Sequence, residues 1–588
     1  MTTQSIVAGD LTITVEGEWE PFRVSLSQST PEPGIQLVDL RLSVATPTPP
    51  PKLRLRWEIP IRDIHAHWNP LSDYRKALDV EWAMPYAVKV TSGAPVTSLY
   101  SFSGLNRLTF ALSDALNEVL MRAGVHEESA QIYCSFDFFT DTVPPLQHYE
   151  ASLRLDTREM PYYESLNDVQ AWWAAMPGYT PANVPDTARL PMYSTWYSFH
   201  QNLDTAEIEE QCKLAKTLGC EAVIVDDGWQ TLNRDRGYAY CGDWNPVPEV
   251  FSDIHAHIER VHALGMKYLL WFSVPFIGRY SAAWDQFATK LLDIGQDDWR
   301  VLDPRYEDTR AYLIGIYERA LKEWGLDGLK LDFVDAFPTP RNETKDSKRD
   351  YESVPEAVDR LLSDTMQRLR RIKADIMIEF RQTYVGPLMR KYGNMFRAGD
   401  CPNNSLTNRV RILDIRLLAG NTAVHSDMLM WHPSDRVESA AMQIVNSLFS
   451  VPQISVLIDK LPADHLEMLN FWLGFWRTHR DVLLDGHLVP LHPESLYPLV
   501  SACNGPKTVI VAYSNTILTL LDAKSSTHIL INGTLGNKLI ADCMEPLGLR
   551  QMTIRDCCGK VVQRGEINLM PGLFKLNIPP AGLAVLEQ

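Results

Sequence analysis

Between Pro191 and about residue 460 the chain repeats one pattern: a short apolar run, a polar cap, then a segment whose apolar residues recur at i, i+3, i+4 and i+7. The runs are MYSTWYSF, EAVIVDDGW, MKYLLWFSV, GLKLDFVD, DIMIEF, NMFRAGD, NTAVHSDM and QISVLID. Continuous apolar strands alternating with amphipathic helices are what a parallel sheet covered by helices requires. Eight such units in about 270 residues match the count and length of a (β/α)8 TIM barrel. An open doubly wound sheet would need fewer strands and a glycine-rich phosphate turn, which the sequence does not contain. Nearly every run is apolar along its length and then ends in carboxylates, Trp, His or Arg. That is the sidedness of a barrel whose chemistry sits at the C-terminal ends of its strands.

The flanks read differently. Up to about residue 155 short runs alternate polar and apolar residues, as in LTITVEGEW, VDLRLSVA, KLRLRWEI, QIYCSFDFF and ASLRLD; this period of two marks antiparallel strands. With the break TPTPPPK between them they suggest a β-sandwich. The stretch DVQAWWAAM followed by PGYTPANVP looks like a linker onto the barrel. After ADHLEMLNFWLGFWRTHRDVL the chain returns to strands (TVIVAYS, TILTLLD, HILINGT, GLFKLNI, GLAVLEQ), which suggest a second, smaller sandwich. The expected division is an N-terminal β-sandwich over 1–170, a catalytic barrel over 185–484 and a C-terminal β-sandwich over 485–588. NETKDSKRDYES, at 342–353, reads as a charged surface loop after the fourth strand.

Composition narrows the partners. A formal net charge of −17 disfavours nucleic acid and anionic membrane and suits a neutral or cationic small substrate. The start MTTQSIVAGD has neither a basic nor an apolar leader region, and no run of about 18 apolar residues occurs, so a cytoplasmic location is expected. Nine Cys without C-x-x-C spacing fit reduced thiols. The sequons at Asn342 and Asn532 carry little meaning in such a compartment.

The strand ends offer Asp226 and Asp227 on the second strand, Asp332 and Asp335 on the fourth, Asp400 on the sixth and Asp427 on the seventh. Each alone is as suited to capping the following helix as to catalysis. Together on one rim they suit cleavage of a glycosidic bond, in which one carboxyl protonates the leaving oxygen and another meets the oxocarbenium-like centre. Asp332 lies two residues from Lys330 on an apolar strand and so faces the same side. A Lys there keeps a nucleophilic carboxylate ionised, or forms a structural ion pair. His425, His432 and Asp427 fit no common zinc spacing, and no metal or organic cofactor is required.

IVDDGWQ, CGDW, HALGMKYLLWF and GLKLDFVD resemble, in order and spacing, the motifs of glycoside hydrolase family 36 of the melibiase superfamily, which holds α-galactosidases and raffinose synthases. DDGWQ, HSDMLMWHP and VLIDKLP are most similar to the raffinose-synthase branch. The resemblance covers about 191 to 480 and implies a TIM barrel flanked by β domains. It implies Asp332 as nucleophile and, through FRAGDCPNN, Asp400 as general acid/base. It implies sugar contacts from Asp226, Asp227 and Lys330, with Trp244 lining the pocket and Arg279 as a looser match. Trp271, Arg381 and Arg397, at the ends of the third, fifth and sixth strands, are further substrate-binding candidates. The implied chemistry is retaining, through a covalent glycosyl-enzyme, and needs the Asp400 pKa above that of Asp332, a separation assigned to Lys330.

Two segments depart from the family pattern. FSVPFIG stands where α-galactosidases carry glutamate-proline-glutamate, and EFRQTYVGP where they carry a cysteine-serine-glycine-rich segment. Arg381, Gln382 and Tyr384 are bulkier than that segment, so the identity of the sugar turns on residues 379–386; Glu379 and Arg381 either pair with each other or reach the substrate. Three functions remain: a hydrolase of α-galactosides or related α-glycosides, an α-galactosyl transglycosylase, and a non-catalytic carbohydrate-binding protein. The partner is an oligosaccharide or glycoside, and the sandwich domains offer surface for a homo-oligomer.

Overall fold

A computed structural model describes residues 2–340, 346–520 and 525–588. The first four residues of the charged loop at 342–353, Asn342 included, like the end of TILTLLD, lie outside the described residues.

The eight nominated runs form the barrel: β1 (Met192–Ser194), β2 (Ala222–Val225), β3 (Lys267–Ser273), β4 (Gly328–Asp332), β5 (Met377–Arg381), β6 (Met395–Arg397), β7 (Ala423–His425) and β8 (Gln453–Ile454). Neighbours pair in parallel around the ring from β7 through β1 to β8. The seam between β7 and β8 closes through Ser426 N–H to the Val451 carbonyl (2.9 Å) and Leu429 N–H to the Gln453 carbonyl (2.7 Å). The strands are buried on both faces, which is why they read as unbroken apolar runs.

A helix follows each strand, and its start is written locally. Asp204, Asp253, Ser353 and Asn404 cap the helices Thr205–Thr217, Ile254–Ala263, Val354–Ile372 and Ser405–Ala419, each accepting from a backbone N–H three residues on. None of Asp226, Asp227, Asp332, Asp400 or Asp427 caps a described helix. The capping alternative for the strand-end carboxylates therefore falls away. In Val354–Ile372 the buried residues Val354, Ala357, Val358, Leu361, Leu362, Thr365, Met366 and Leu369 trace one stripe onto the barrel.

The N-terminal region forms two packed antiparallel-type sheets; in Leu53–Pro60 the residues Leu53, Leu55, Trp57 and Ile59 alternate inward. A helix, Tyr162–Ala174, then lays Trp173 against Leu417 and Leu418 of the barrel. Beyond Gly486 a seven-stranded and a three-stranded sheet enclose a second small core around Leu518, Leu530, Ala541 and Leu586. The three parts meet at one buried charge. Asp414, on the helix after β6, takes the Lys76 ammonium at 2.7 Å and the Trp68 indole N–H at 2.7 Å, both from the N-terminal sandwich, and the Tyr497 hydroxyl from the C-terminal part. No described helix is long and apolar enough to cross a membrane.

Candidate active site

Asp332 ends β4 with its side chain inside the barrel mouth. Its Oδ1 accepts from the Tyr384 hydroxyl, from Arg381 Nε at 2.7 Å and from the backbone N–H of Phe333 at 2.8 Å. Its Oδ2 accepts from the indole N–H of Trp271 at 3.1 Å. Burial alone would push this carboxyl up, but the Arg381 guanidinium, then Lys330 and the Tyr384 and Trp271 donors, outweigh it and leave the pKa below the ordinary carboxylate value. The following residue, Phe333, has φ 60°, a left-handed conformation that costs energy in an aromatic residue and is typical of functional sites. That turn aims the Phe333 N–H at both Asp332 Oδ1 and, at 3.1 Å, the Tyr384 hydroxyl.

Lys330 faces the same side as Asp332, as its spacing requires, but its ammonium pairs with Asp226 at 2.5 Å. Lys330 still helps to keep Asp332 ionised, as its spacing suggests, but second to Arg381, which makes the direct ion pair. Glu379 and Arg381, two apart on β5, do not pair with each other; Arg381 turns to Asp332, while Glu379 accepts from Gln453 at 2.5 Å and faces Arg397.

Asp227, beside Asp226 at the end of β2, is gripped by two amides, Gln201 Nε2 and Gln230 Nε2, each at 2.7 Å. Burial pushes its pKa up to about 6 against these donors. The DDGW glycine makes this grip possible: Gly228 has φ 110°, and a Cβ there would meet Gln201 Cα at 2.6 Å.

Across the mouth, Asp400 lies three residues beyond Arg397 of β6 and takes its Nη2 at 2.8 Å. Burial raises the Asp400 carboxyl, but Arg397 first, then Lys330 and Arg381, bring it down to about 2. Its side chain is 49% exposed. The expectation that Lys330 holds Asp400 above Asp332 is corrected, because guanidinium partners lower both carboxyls. Asp427, after β7, shares Arg397 through Nη1 at 2.5 Å and accepts the Tyr197 hydroxyl at 2.9 Å and the Cys401 N–H at 2.6 Å. His425 lies buried with Nε2 on the Ala188 carbonyl, and His432 Nδ1 accepts from the Ser434 N–H.

Asp400 borders a cavity of about 480 Å3 whose lining includes Gln382, Gly399 and Arg411, together with Phe333 and Arg381, two of the residues that donate to Asp332 Oδ1. One wall comes from the N-terminal sandwich through Pro70, Leu71 and Asp73. Arg411 ties that wall down, giving one nitrogen to Asp73 and another to the Asp400 carbonyl, each at 3.0 Å. Sequence reasoning missed Asp73, Arg411, Tyr197 and Gln201; of these Tyr197, inside the nominated run MYSTWYSF, and Gln201, two residues beyond it, carried a local signal.

Two candidates are not brought to the carboxylates. Trp244 is 1% exposed, wedged against Trp229, Trp271 and Phe272, and touches the site only by backing Trp271. Its place in the aromatic core replaces the expected pocket wall. Arg279 is exposed, one residue beyond the short strand Phe276–Gly278 of a three-stranded insert. That insert reaches the site through Phe276 against Phe333, ring centres 4.8 Å apart, rather than through Arg279. Asp335 turns its carbonyl to Lys89 of the N-terminal sandwich at 3.0 Å.

Residues 181–384 match the melibiase family model. A curated A type blood α-D-galactosamine galactosaminidase of Flavonifractor plautii is 25% identical over 27% of this chain, and an α-galactosidase of Lactobacillus acidophilus 26% over 25%. The matched segments are 16% and 20% of those relatives' own lengths. Among solved structures, an α-galactosidase of Lactobacillus brevis shares the fold with a TM-score of 0.64 at 15% identity, over 100% of this chain and 85% of that one. A glycoside hydrolase family 36 α-galactosidase of Geobacillus stearothermophilus, in complex with stachyose, has a TM-score of 0.64 at 12% identity, over 98% and 83%. The melibiase model thus matches the barrel's first five strands, and the chain shares the fold of these α-galactosidases along nearly its whole length.

Proposed function

We propose that this protein is a retaining hydrolase of α-linked galactosides or closely related α-glycosides, with oligosaccharides as its natural substrates. The observation that carries the reading is the state of Asp332: a buried carboxylate at a barrel strand's C-terminal end, kept ionised by Arg381 and oriented by three further donors. Oδ1 takes three of the four donors, so Oδ2, which among the described residues accepts from Trp271 alone, is the oxygen that attacks the anomeric carbon. Asp400, half open to the adjoining cavity, protonates the departing oxygen and then activates the water that releases the sugar with retained configuration. Asp226, Asp227 and Lys330 hold sugar hydroxyls deeper in the mouth, where two carboxyls and an ammonium supply acceptors and donors. The melibiase match and the stachyose-bound and raffinose-bound neighbours support this substrate class.

A sugar hydroxyl in place of water would make the same intermediate a transglycosylation donor, and the cavity beside Asp400 is large enough to seat such an acceptor. A panel of aryl α-glycosides of different sugars, run on the wild type, Asp332→Ala and Asp400→Ala, tests the assignment. Activity that survived Asp332→Ala undiminished would sink it. Growth of larger oligosaccharides with excess acceptor sugar would replace hydrolysis by transfer, and inactivity of the wild type across the panel would favour a binding protein.

A further inference from the structure

Arg397, 2.8 Å away, holds Asp400 as a carboxylate, whereas a general acid must arrive protonated. The means of changing its state lies beneath it. The Arg397 guanidinium is 1% exposed and meets three carboxylates that come from three strand ends. Nη2 is 2.8 Å from Asp400, Nη1 is 2.5 Å from Asp427, and Nε is 3.5 Å from Glu379 Oε1. The third contact is incomplete. Neither Arg397 Nε nor Glu379 Oε1 has a hydrogen-bond partner among the described residues, although both are buried. Burial pushes the Glu379 carboxyl up, and an unmade bond between it and a buried guanidinium is costly, so an arrangement that makes the bond is favoured locally. Turning the guanidinium onto Glu379 closes that gap and draws Nη2 off Asp400.

We infer that Arg397, Glu379 and Asp427 form a positioning unit for Asp400: the guanidinium clamps Asp400 and turns onto Glu379 when a sugar's leaving oxygen takes its place. The inference rests on the reading of Asp400 as acid/base. Asp427 is the fixed pivot, held from its other side by the Tyr197 hydroxyl and the Cys401 N–H. The other charges facing Asp400 are committed elsewhere. Lys330 from β4 is paired with Asp226, Arg381 from β5 with Asp332, and Arg411 with Asp73 and the Asp400 carbonyl. Arg397 is thus the cation that Asp400 loses by a local rotation. The proton comes from solvent, to which the Asp400 side chain is 49% open, and passes to the leaving oxygen as the glycosidic bond breaks. The Arg397 charge stays balanced throughout by Asp427 and Glu379.

Two readouts test this. Carboxyl 13C NMR of the Asp-labelled full chain, with Asp400→Asn to identify the resonance, follows the Asp400 titration without requiring any activity. In Arg397→Gln the midpoint should rise by about one pH unit or more. An unmoved midpoint in a folded variant overturns the proposal. The second readout is the pH profile on the best glycoside for Glu379→Gln, which keeps the side-chain volume and removes the second seat. Its alkaline limb should move to lower pH, with kcat lost near neutrality, KM little changed and activity regained on acidification. A uniform loss at every pH would mean a merely structural Glu379 and would also overturn the proposal. If Arg397→Gln does not fold, the Glu379→Gln profile decides. If no glycoside is cleaved, the acid/base reading fails separately, and the NMR titration still decides whether Arg397 governs Asp400.

Discussion

Lys330 and Asp332 stand two residues apart on one strand and face the same side of the barrel, yet they are not partners. The ammonium goes to Asp226 at 2.5 Å, and Arg381 from the next strand takes Asp332 at 2.7 Å. Each cation thus secures a carboxylate from a different strand, and the mouth of the barrel is laced together by charge as well as by backbone pairing.

Removing one member of the inner pair should expose this lacing. Lys330→Met leaves Asp226 buried without its counter-ion, which costs about 3–5 kcal/mol. Urea unfolding should show that loss, and the double variant Lys330→Met, Asp226→Asn should recover most of it. Equal losses in the single and double variants would mean that the pair contributes little.

Tyr384 donates to Asp332 from a fully buried position. Tyr384→Phe removes a donor that lowers the carboxyl's pKa, so that pKa rises and the acid limb of kcat/KM moves to higher pH. A hydrogen bond to a charged group is worth about 1.5–3 kcal/mol, so the loss at neutral pH should be roughly tenfold or more. Steady-state profiles of the two proteins provide the comparison.

Asp227 titrates near 6, above its ordinary value of 3.8, because burial disfavours the charged form. The folded state therefore holds the extra proton between about pH 4 and 6, and stability falls as pH rises through that window. Asp227→Asn should flatten this dependence in thermal melts taken from pH 4 to 7. The same variant should abolish any inflection of KM near pH 6.

The Lys76–Asp414 bridge is 0% and 1% exposed at its two side chains and joins the N-terminal sandwich to the barrel. Lys76→Met strands the Asp414 carboxylate and should cost about 3–5 kcal/mol. Calorimetry should show the single endotherm broadening or splitting as the sandwich uncouples from the barrel. An unchanged melt would mean that the domains are held by their apolar contacts alone.

The barrel was legible because its signals are local. Strand, polar cap and helix recur within a few tens of residues, and Asp332, Asp226 and Asp400 stand at strand ends where backbone geometry alone aims them at the mouth. What was not legible is who answers whom. Lys330 reaches Asp226 across 104 positions of sequence, and Arg381 reaches Asp332 across 49; a strand's own spacing carries no trace of either choice. Trp244 was expected at the pocket through the resemblance of CGDW alone, and a motif match carries no trace of the left-handed φ of 53° and the aromatic packing found around it. Asp73 was invisible as a cleft residue because its role depends on how a separate domain docks.

The wall formed by Pro70, Leu71 and Asp73 makes the cleft a joint product of two domains. On the proposed reading of Asp332 and Asp400, the barrel supplies the bond-breaking groups and the docked sandwich sets how much of the leaving group can sit beside them. An exchange of that one sandwich loop, leaving every barrel residue untouched, would then retune which glycosides fit.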